Sequence, residues 1–168
     1  MKKIGLFYSF NTRKTSIVAE KIAKELGEDK VDKINVEEID EKQFLAYDNM
    51  ILGSPTWFDG ELPNYWDEFV PAIEDLDMKG KTVAIFGTGD QKGYPENFVD
   101  AIGILAELLE SQGAKIVGET STEGYHFECS RGVRDGKFMG LAIDQDNEAK
   151  KTNKRVKDWV AQIQEEFK

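Results

Sequence analysis

Short apolar runs of strand length alternate with stretches of helical spacing along this chain, and few architectures accept that pattern. Ile4–Tyr8, Asn49–Ser54 and Thr82–Phe86 are too continuously apolar to be solvated on one face. Val31–Val36 alternates apolar with polar, as a strand exposed on one side does, and Lys115-Ile116-Val117 begins a fifth strand. Between them, Ile17, Val18, Ile22 and Leu26 form one helical stripe, and Phe44-Leu45 mark a short helical turn. Leu62, Trp66, Phe69, Val70 and Ile73 predict a helix over 62–73. A helix after Asn97 carries Phe98, Ala101, Ile102, Leu105, Leu108 and Leu109 inward and ends at Gly113. The last helix runs from about Glu148 to Phe167, with Val156, Trp159, Val160 and Ile163 inward. The stretch Glu119–Lys137 interrupts the pattern and reads as an insertion with a small hairpin. Phe138–Ile143 then resumes or completes the fifth strand. Strand–helix alternation of this kind predicts an α/β fold: a doubly wound five-stranded parallel sheet of order 2-1-3-4-5, flanked by helices, with an insertion in the fifth strand. At 168 residues, one domain over 1–168 is expected.

In that topology ligands bind beyond the carboxyl ends of the strands, at the switch between strands 1 and 3. Three loops converge there. The first, Ser9–Thr15, is Ser9-Phe10-Asn11-Thr12-Arg13-Lys14-Thr15, a polar turn that opens a helix. Free N–H groups and the helix dipole make such a turn an anion site, and Asn11, Thr12, Lys14 and Thr15 sit where a phosphate would be held. Neither GxxxxGK[ST] nor GxGxxG is present, so on this segment alone a plain strand–loop–helix and a phosphate site both stand. The second loop, Pro55–Leu62, carries Trp57 and Phe58 outside any helical or strand face. The third, Gly87–Asn97, has three glycines that allow close backbone approach, and Tyr94 lies outside a core period. Aromatics from two loops beside an anion loop suit a flat aromatic ligand with a phosphate tail, clamped between Trp57 and Tyr94.

At this point the chain resembles the long-chain flavodoxin family, over essentially its whole length. The resemblance rests on Ser54-Pro55-Thr56-Trp57 followed by Gly60-Glu61-Leu62, and on Phe86-Gly87-Thr88-Gly89-Asp90-Gln91 with Gly93-Tyr94. It continues in Asn97-Phe98 with Asp100-Ala101-Ile102-Gly103, in Gly136-Lys137-Phe138 with Gly140-Leu141-Ala142, in Asp144 with Asp146-Asn147, and in Trp159-Val160. The resemblance implies a flavodoxin-like fold, non-covalent FMN and low-potential electron transfer between a reductase and redox acceptor enzymes, without catalytic turnover. It implies a cofactor site of Ser9, Phe10, Asn11, Thr12, Arg13, Lys14 and Thr15 around the phosphate, with Trp57 and Tyr94 on the two faces of the ring. Pro55, Phe58, Asp59, Gly60, Thr88, Gly89 and Asp90 then surround the ring, with Thr56, Asn97, Phe98 and Asp146 in reach of the rest of the cofactor. Three positions depart from the family pattern, one of them Val99, where Gln is frequent. Phe10 stands where a Ser or Thr is usual and removes a hydroxyl donor. Arg13 stands where a Gly is usual, and either compensates phosphate charge or turns outward. The alternative reading is an FMN-dependent reductase acting on a quinone or tetrapyrrole-like substrate.

The formal net charge of −10 repels nucleic acid and anionic membrane, so neither is an expected partner. It speeds encounter with basic redox proteins, such as an NAD(P)H- or ferredoxin-linked reductase, or serves solubility alone. Asp59, Glu61, Asp90 and Glu96 near the ring disfavour a second negative charge on it, which places the second reduction step at low potential. The one cysteine, Cys129, excludes an internal disulfide and fits a reducing compartment, so a cytoplasmic location is expected; a monomer is the expected state. The chain enters a strand at once, so no secretory signal is expected. His126 and Cys129 offer two metal ligands at most, too few for a zinc site. A phosphorylation-dependent receiver needs clustered acids after strand 1, and Tyr8-Ser9-Phe10 offers none. Lys150, Lys151, Lys154 and Arg155 read as the solvated face of the last helix.

Overall fold

A computed structural model describes residues 1–168. In chain order the principal elements are β1 (Ile4–Tyr8), α1 (Lys14–Leu26), β2 (Val31–Asn35), α2 (Glu41–Phe44), β3 (Asn49–Pro55), α3 (Asn64–Asp67), α4 (Val70–Glu74), β4 (Thr82–Thr88), α5 (Asp100–Ser111), β5 (Lys115–Val117), β6 (Thr120–Ser121), β7 (Val133–Arg134), β8 (Lys137–Phe138), β9 (Leu141–Ile143) and α6 (Thr152–Glu166). The main sheet is parallel in the order β2-β1-β3-β4-β5. The fifth position is shared. β5 pairs with the start of β4, Thr82 opposite Lys115, and β9 pairs with its end, Phe86 opposite Leu141. The insertion therefore leaves the sheet after Val117 and returns to the same edge. Within it β6, β8 and β7 form a small antiparallel sheet, one strand more than the hairpin expected. Asp135 and Gly136 both take positive φ, 54° and 78°, the geometry a two-residue hairpin turn needs.

Burial on both faces explains the apolar strands. Ile4, Leu6 and Tyr8 of β1, Ile51 of β3 and Ala84 and Phe86 of β4 join one core with α1 and α6. Phe7, Met50, Leu52, Val83 and Ile85 alternate into the other, with α5 and Phe44, Trp66 and Ile73 of the short helices. β2 is the sheet's edge, and only its first residue is fully buried.

Two helices differ from the expectation. The segment 62–73 is two short helices, because Pro71 has no N–H to return to Asp67. The first one closes instead, with Phe69 N–H donating to the Trp66 carbonyl at 2.9 Å. At the chain's end the first turn, Ala149–Lys151, is a 3-10 turn, and α6 proper begins at Thr152.

The insertion docks on α5 through a close backbone approach and through side-chain bonds, among them Arg134 to Glu110 at 2.7 Å. A Cβ added at Gly103, the fourth residue of α5, would lie 1.9 Å from the Arg131 carbonyl oxygen. Asp100 Oδ1 accepts from Arg131 N–H at 2.7 Å, and Ser130 Oγ donates to the Phe98 carbonyl. Glycine in a helix interior normally costs about 1 kcal/mol relative to alanine. Here the sign reverses, since the insertion has to move: Gly103→Ala is expected to lower stability in urea by about 2 kcal/mol, the range of overpacking.

Candidate functional site

The carboxyl ends of β1, β3 and β4 and the segment after β9 enclose a cavity of about 440 Å³. Its wall is Asn11–Thr15 from the first loop, Pro55–Trp57 from the second, Thr88–Asp90 and Tyr94 from the third, and Gln145 and Asp146 from the fourth segment. Three of these segments follow from the switch-point rule. Gln145 carried no signal in the sequence, lying between two acids with no period of its own.

The first loop turns on Ser9. Its carbonyl accepts from Thr12 N–H at 3.3 Å and from the Thr12 hydroxyl at 2.7 Å. α1 then starts at Lys14, with Arg13 as the flanking residue and no side-chain cap. The N–H groups of Arg13, Lys14, Thr15 and Ser16 have no partner in the protein. An uncapped helix start of this kind is an anion cradle. The side chains are mostly engaged: Thr15 Oγ1 lies 3.0 Å from Thr88 Oγ1, and the Lys14 ammonium pairs with Asp146 across the cavity mouth. Ser9 is buried and Phe10 packs its ring on Tyr8, so neither side chain lines the cavity.

The second loop is closed by Trp57 and Glu61, which exchange two backbone hydrogen bonds at 2.8 and 2.7 Å. Phe58 (φ 47°) and Gly60 (φ 89°) turn the chain between them. Trp57 is 37% exposed, with Tyr65 edge-on behind it at 6.0 Å; Phe58 is 73% exposed. Thr56 Oγ1 accepts from Ala101 N–H at 3.0 Å and ties the loop to α5. Asp59 and Gly60 lie outside the cavity wall. Gly60 backs onto Asp100, whose Oδ2 would be 2.5 Å from an added Cβ.

In the third loop Asp90 Oδ1 accepts from Gly93 N–H (2.8 Å), Lys92 N–H (3.1 Å) and Asn147 Nδ2 (2.7 Å). Those hydrogen bonds hold its carboxyl below the usual range. Tyr94 stands 60% exposed at the rim. A small recess beside the cavity is shared by Phe58, Asn97 and Phe98 with Thr56, Gly89, Asp90 and Tyr94. The Phe98 ring belongs to the core, against Phe127 and Phe138, and borders that recess from there.

What holds the third loop lies behind it. Gln91 donates from N–H (3.1 Å) and Nε2 (2.9 Å) to Asp144, donates from Nε2 to Glu148 (2.7 Å), and accepts from His126 N–H (2.5 Å). Asp144 is fully buried and also accepts from Asn147 N–H and Nδ2. Arg155 completes the brace, which corrects its reading as solvated. Its guanidinium lies 4.0 Å from the centre of the Tyr125 ring and 3.2 Å from Glu148 Oε1, and its side chain is 15% exposed. The insertion, the last helix and the third loop thus share one polar cluster.

A family model described as flavodoxin matches residues 6–159. A flavodoxin of Nostoc sp. is 49% identical over 166 residues, 99% of this chain and 98% of its own. Flavodoxin 1 of Escherichia coli is 45% identical over 164 residues, 97% and 93% of the two chains. The crystal structure of Fusobacterium nucleatum flavodoxin bound to flavin mononucleotide superposes with a TM-score of 0.95 at 36% identity, covering 100% of both chains.

Burial pushes the Glu148 carboxyl up, but donors from Lys151 and Gln91 and the charge of Arg155 outweigh it and hold it at about 2. A carboxyl lowered in the folded state stabilises above its ordinary value and loses that contribution as pH falls through the folded value. The melting-temperature difference between the wild type and Glu148→Gln is therefore expected to be full at pH 6 and to shrink as pH falls from 4.5 toward 2.

Proposed function

The chain belongs to the flavodoxin family and is an FMN-based electron carrier, and from that premise we propose that FMN is held in the cavity between the first, second and third loops. The observation that carries this assignment is the row of unpartnered N–H groups on Arg13–Ser16, beside a cavity flanked by two exposed aromatics. Those donors and the cations of Arg13 and Lys14 suit a phosphate. Trp57 and Tyr94 suit the two faces of a flat ring, with each stack contributing about 1–3 kcal/mol by analogy with nucleobases. Thr56, Asn97, Asp146 and Gln145 are placed toward the chain between ring and phosphate. When bound, FMN supplies the redox chemistry.

The protein's own residues do the rest. Tyr65 backs Trp57, and the bonds between Trp57 and Glu61 fix the loop that carries Phe58 and Asp59. The peptide groups around Phe58–Gly60 are placed to address the ring's polar edge, where Gly60 admits a backbone that a side chain would push off Asp100. Asp59, Glu61, Asp90 and Glu96 set a negative potential at the rim that disfavours added negative charge there. The net charge of −10 favours a basic reductase as electron donor, with an encounter rate that falls with salt. We place the protein in the cytoplasm as a monomer, acting as one domain over 1–168. No helix is long and apolar enough to cross a membrane. The reductase alternative finds no support among the relatives, which are named as flavodoxins.

Loaded with FMN, the protein is expected to pass electrons from an added NAD(P)H-linked reductase to an acceptor, and to leave NAD(P)H unoxidised without that reductase. Oxidation of NAD(P)H by the protein alone would overturn the carrier reading, and failure to take up FMN would overturn the site. Arg13 tests the phosphate end. At low salt Arg13→Gly is expected to weaken FMN binding about fivefold, the scale of one partly solvated charge contact. The gap is expected to close near 1 M salt, where screening acts over about 3 Å. Equal affinities at every ionic strength would turn Arg13 outward.

A further inference from the structure

The first loop is braced from outside, by an acid that the phosphate reading does not use. After β2 the chain makes a 3-10 turn, Val36–Glu38. Asn35 Oδ1 accepts from Glu37 N–H at 3.3 Å and from Phe10 N–H at 3.2 Å. Glu37 Oε2 accepts from Ser9 Oγ at 2.6 Å and from Asn11 Nδ2 at 2.7 Å. These two bonds hold the Glu37 carboxyl below its ordinary value.

The direction of each bond follows from the ionised acid. A carboxylate accepts only, so the Ser9 hydroxyl donates its hydrogen bond to it and keeps its lone pairs for Asn11 N–H, at 3.2 Å. The Asn11 amide must turn its NH2 the same way. Ser9 and Asn11 are thereby fixed at both side chain and backbone, two residues before the free N–H groups of α1. Phe10, between them, has no polar side-chain atom with which to hold the loop from within. By charge alone Glu37 opposes a phosphate nearby, so a favourable contribution has to come through geometry.

We propose that Glu37 is a positioning residue for the phosphate end of the site: it sets the Ser9–Asn11 turn so that the helix start presents its N–H groups, and it thereby favours phosphorylated over unphosphorylated flavin. The proposal rests on the first loop being the phosphate site. Its signature is a change that follows the phosphate and leaves the ring contacts alone.

The test titrates the full-length protein, stripped of flavin, with FMN and with riboflavin, following flavin fluorescence. Losing a charge-assisted brace is expected to weaken FMN binding to Glu37→Ala roughly tenfold, with riboflavin binding changed less than about twofold. Glu37→Gln keeps an acceptor oxygen for Ser9 and is expected to recover most of the loss. Wild-type FMN affinity in Glu37→Ala, an equal loss for both flavins, or no recovery in Glu37→Gln would each overturn the proposal. A wild type that binds riboflavin as tightly as FMN would instead overturn the phosphate site itself.

Discussion

A parallel sheet covered on both faces leaves only its ends for chemistry, and that constraint organises this molecule. The inward positions of β1, β3 and β4 are consumed by two cores, and their backbone groups by the ladder. The chain runs outward from β1 to β2 and then returns past β1 to β3, so the loops after β1 and β3 part company at the carboxyl rim. The cavity lies in that parting. Its walls are loops, yet few of them are free. Each loop is tied by a side chain to a neighbouring segment distant in sequence: Asn11 to Glu37, Thr56 to Ala101, Gln91 to Asp144.

The third loop shows how a buried charge serves that purpose. An unpaired carboxylate as deeply buried as Asp144 would cost several kcal/mol. Here it accepts four hydrogen bonds, two from Gln91 and two from Asn147. The satisfied acid fixes the loop's direction, because any other course strands donors and acceptor together. The insertion joins the cluster through His126 N–H and Tyr125. It splits the fifth strand and also reaches back to support the loop that carries Tyr94.

The sheet order was legible because strand burial writes itself as continuous apolar sequence, and the rim loops because the topology dictates where they fall. Pro71 was visible but outweighed by the apolar spacing that runs through it. What stayed hidden depends on partners distant in the chain. Ser9 reads as a phosphate contact until Glu37, 28 residues on, accepts its hydroxyl hydrogen bond. Arg155 reads as solvated beside Lys154 until Tyr125 and Glu148 enclose it. Gln145 has neighbours in space that no local pattern announces.

A chain of net charge −10 that binds a phosphorylated cofactor must separate two electrostatic scales. At physiological salt the field of distant exposed acids is screened over about 8 Å, so it acts on diffusing partners more than on a seated phosphate. Within the first loop the balance is local: four free N–H groups, Arg13 and Lys14 stand against Glu37 and Asp146. Lys14 is partly neutralised by Asp146, which leaves the backbone donors and the Arg13 guanidinium as the anion contacts that no acid in the structure occupies. The backbone donors carry no net charge. They can hold a phosphate without lifting the negative potential that Asp59, Glu61, Asp90 and Glu96 give to the second and third loops. Using the helix start in place of a lysine cluster therefore lets one short cavity favour an anion at one end and discourage negative charge at the other.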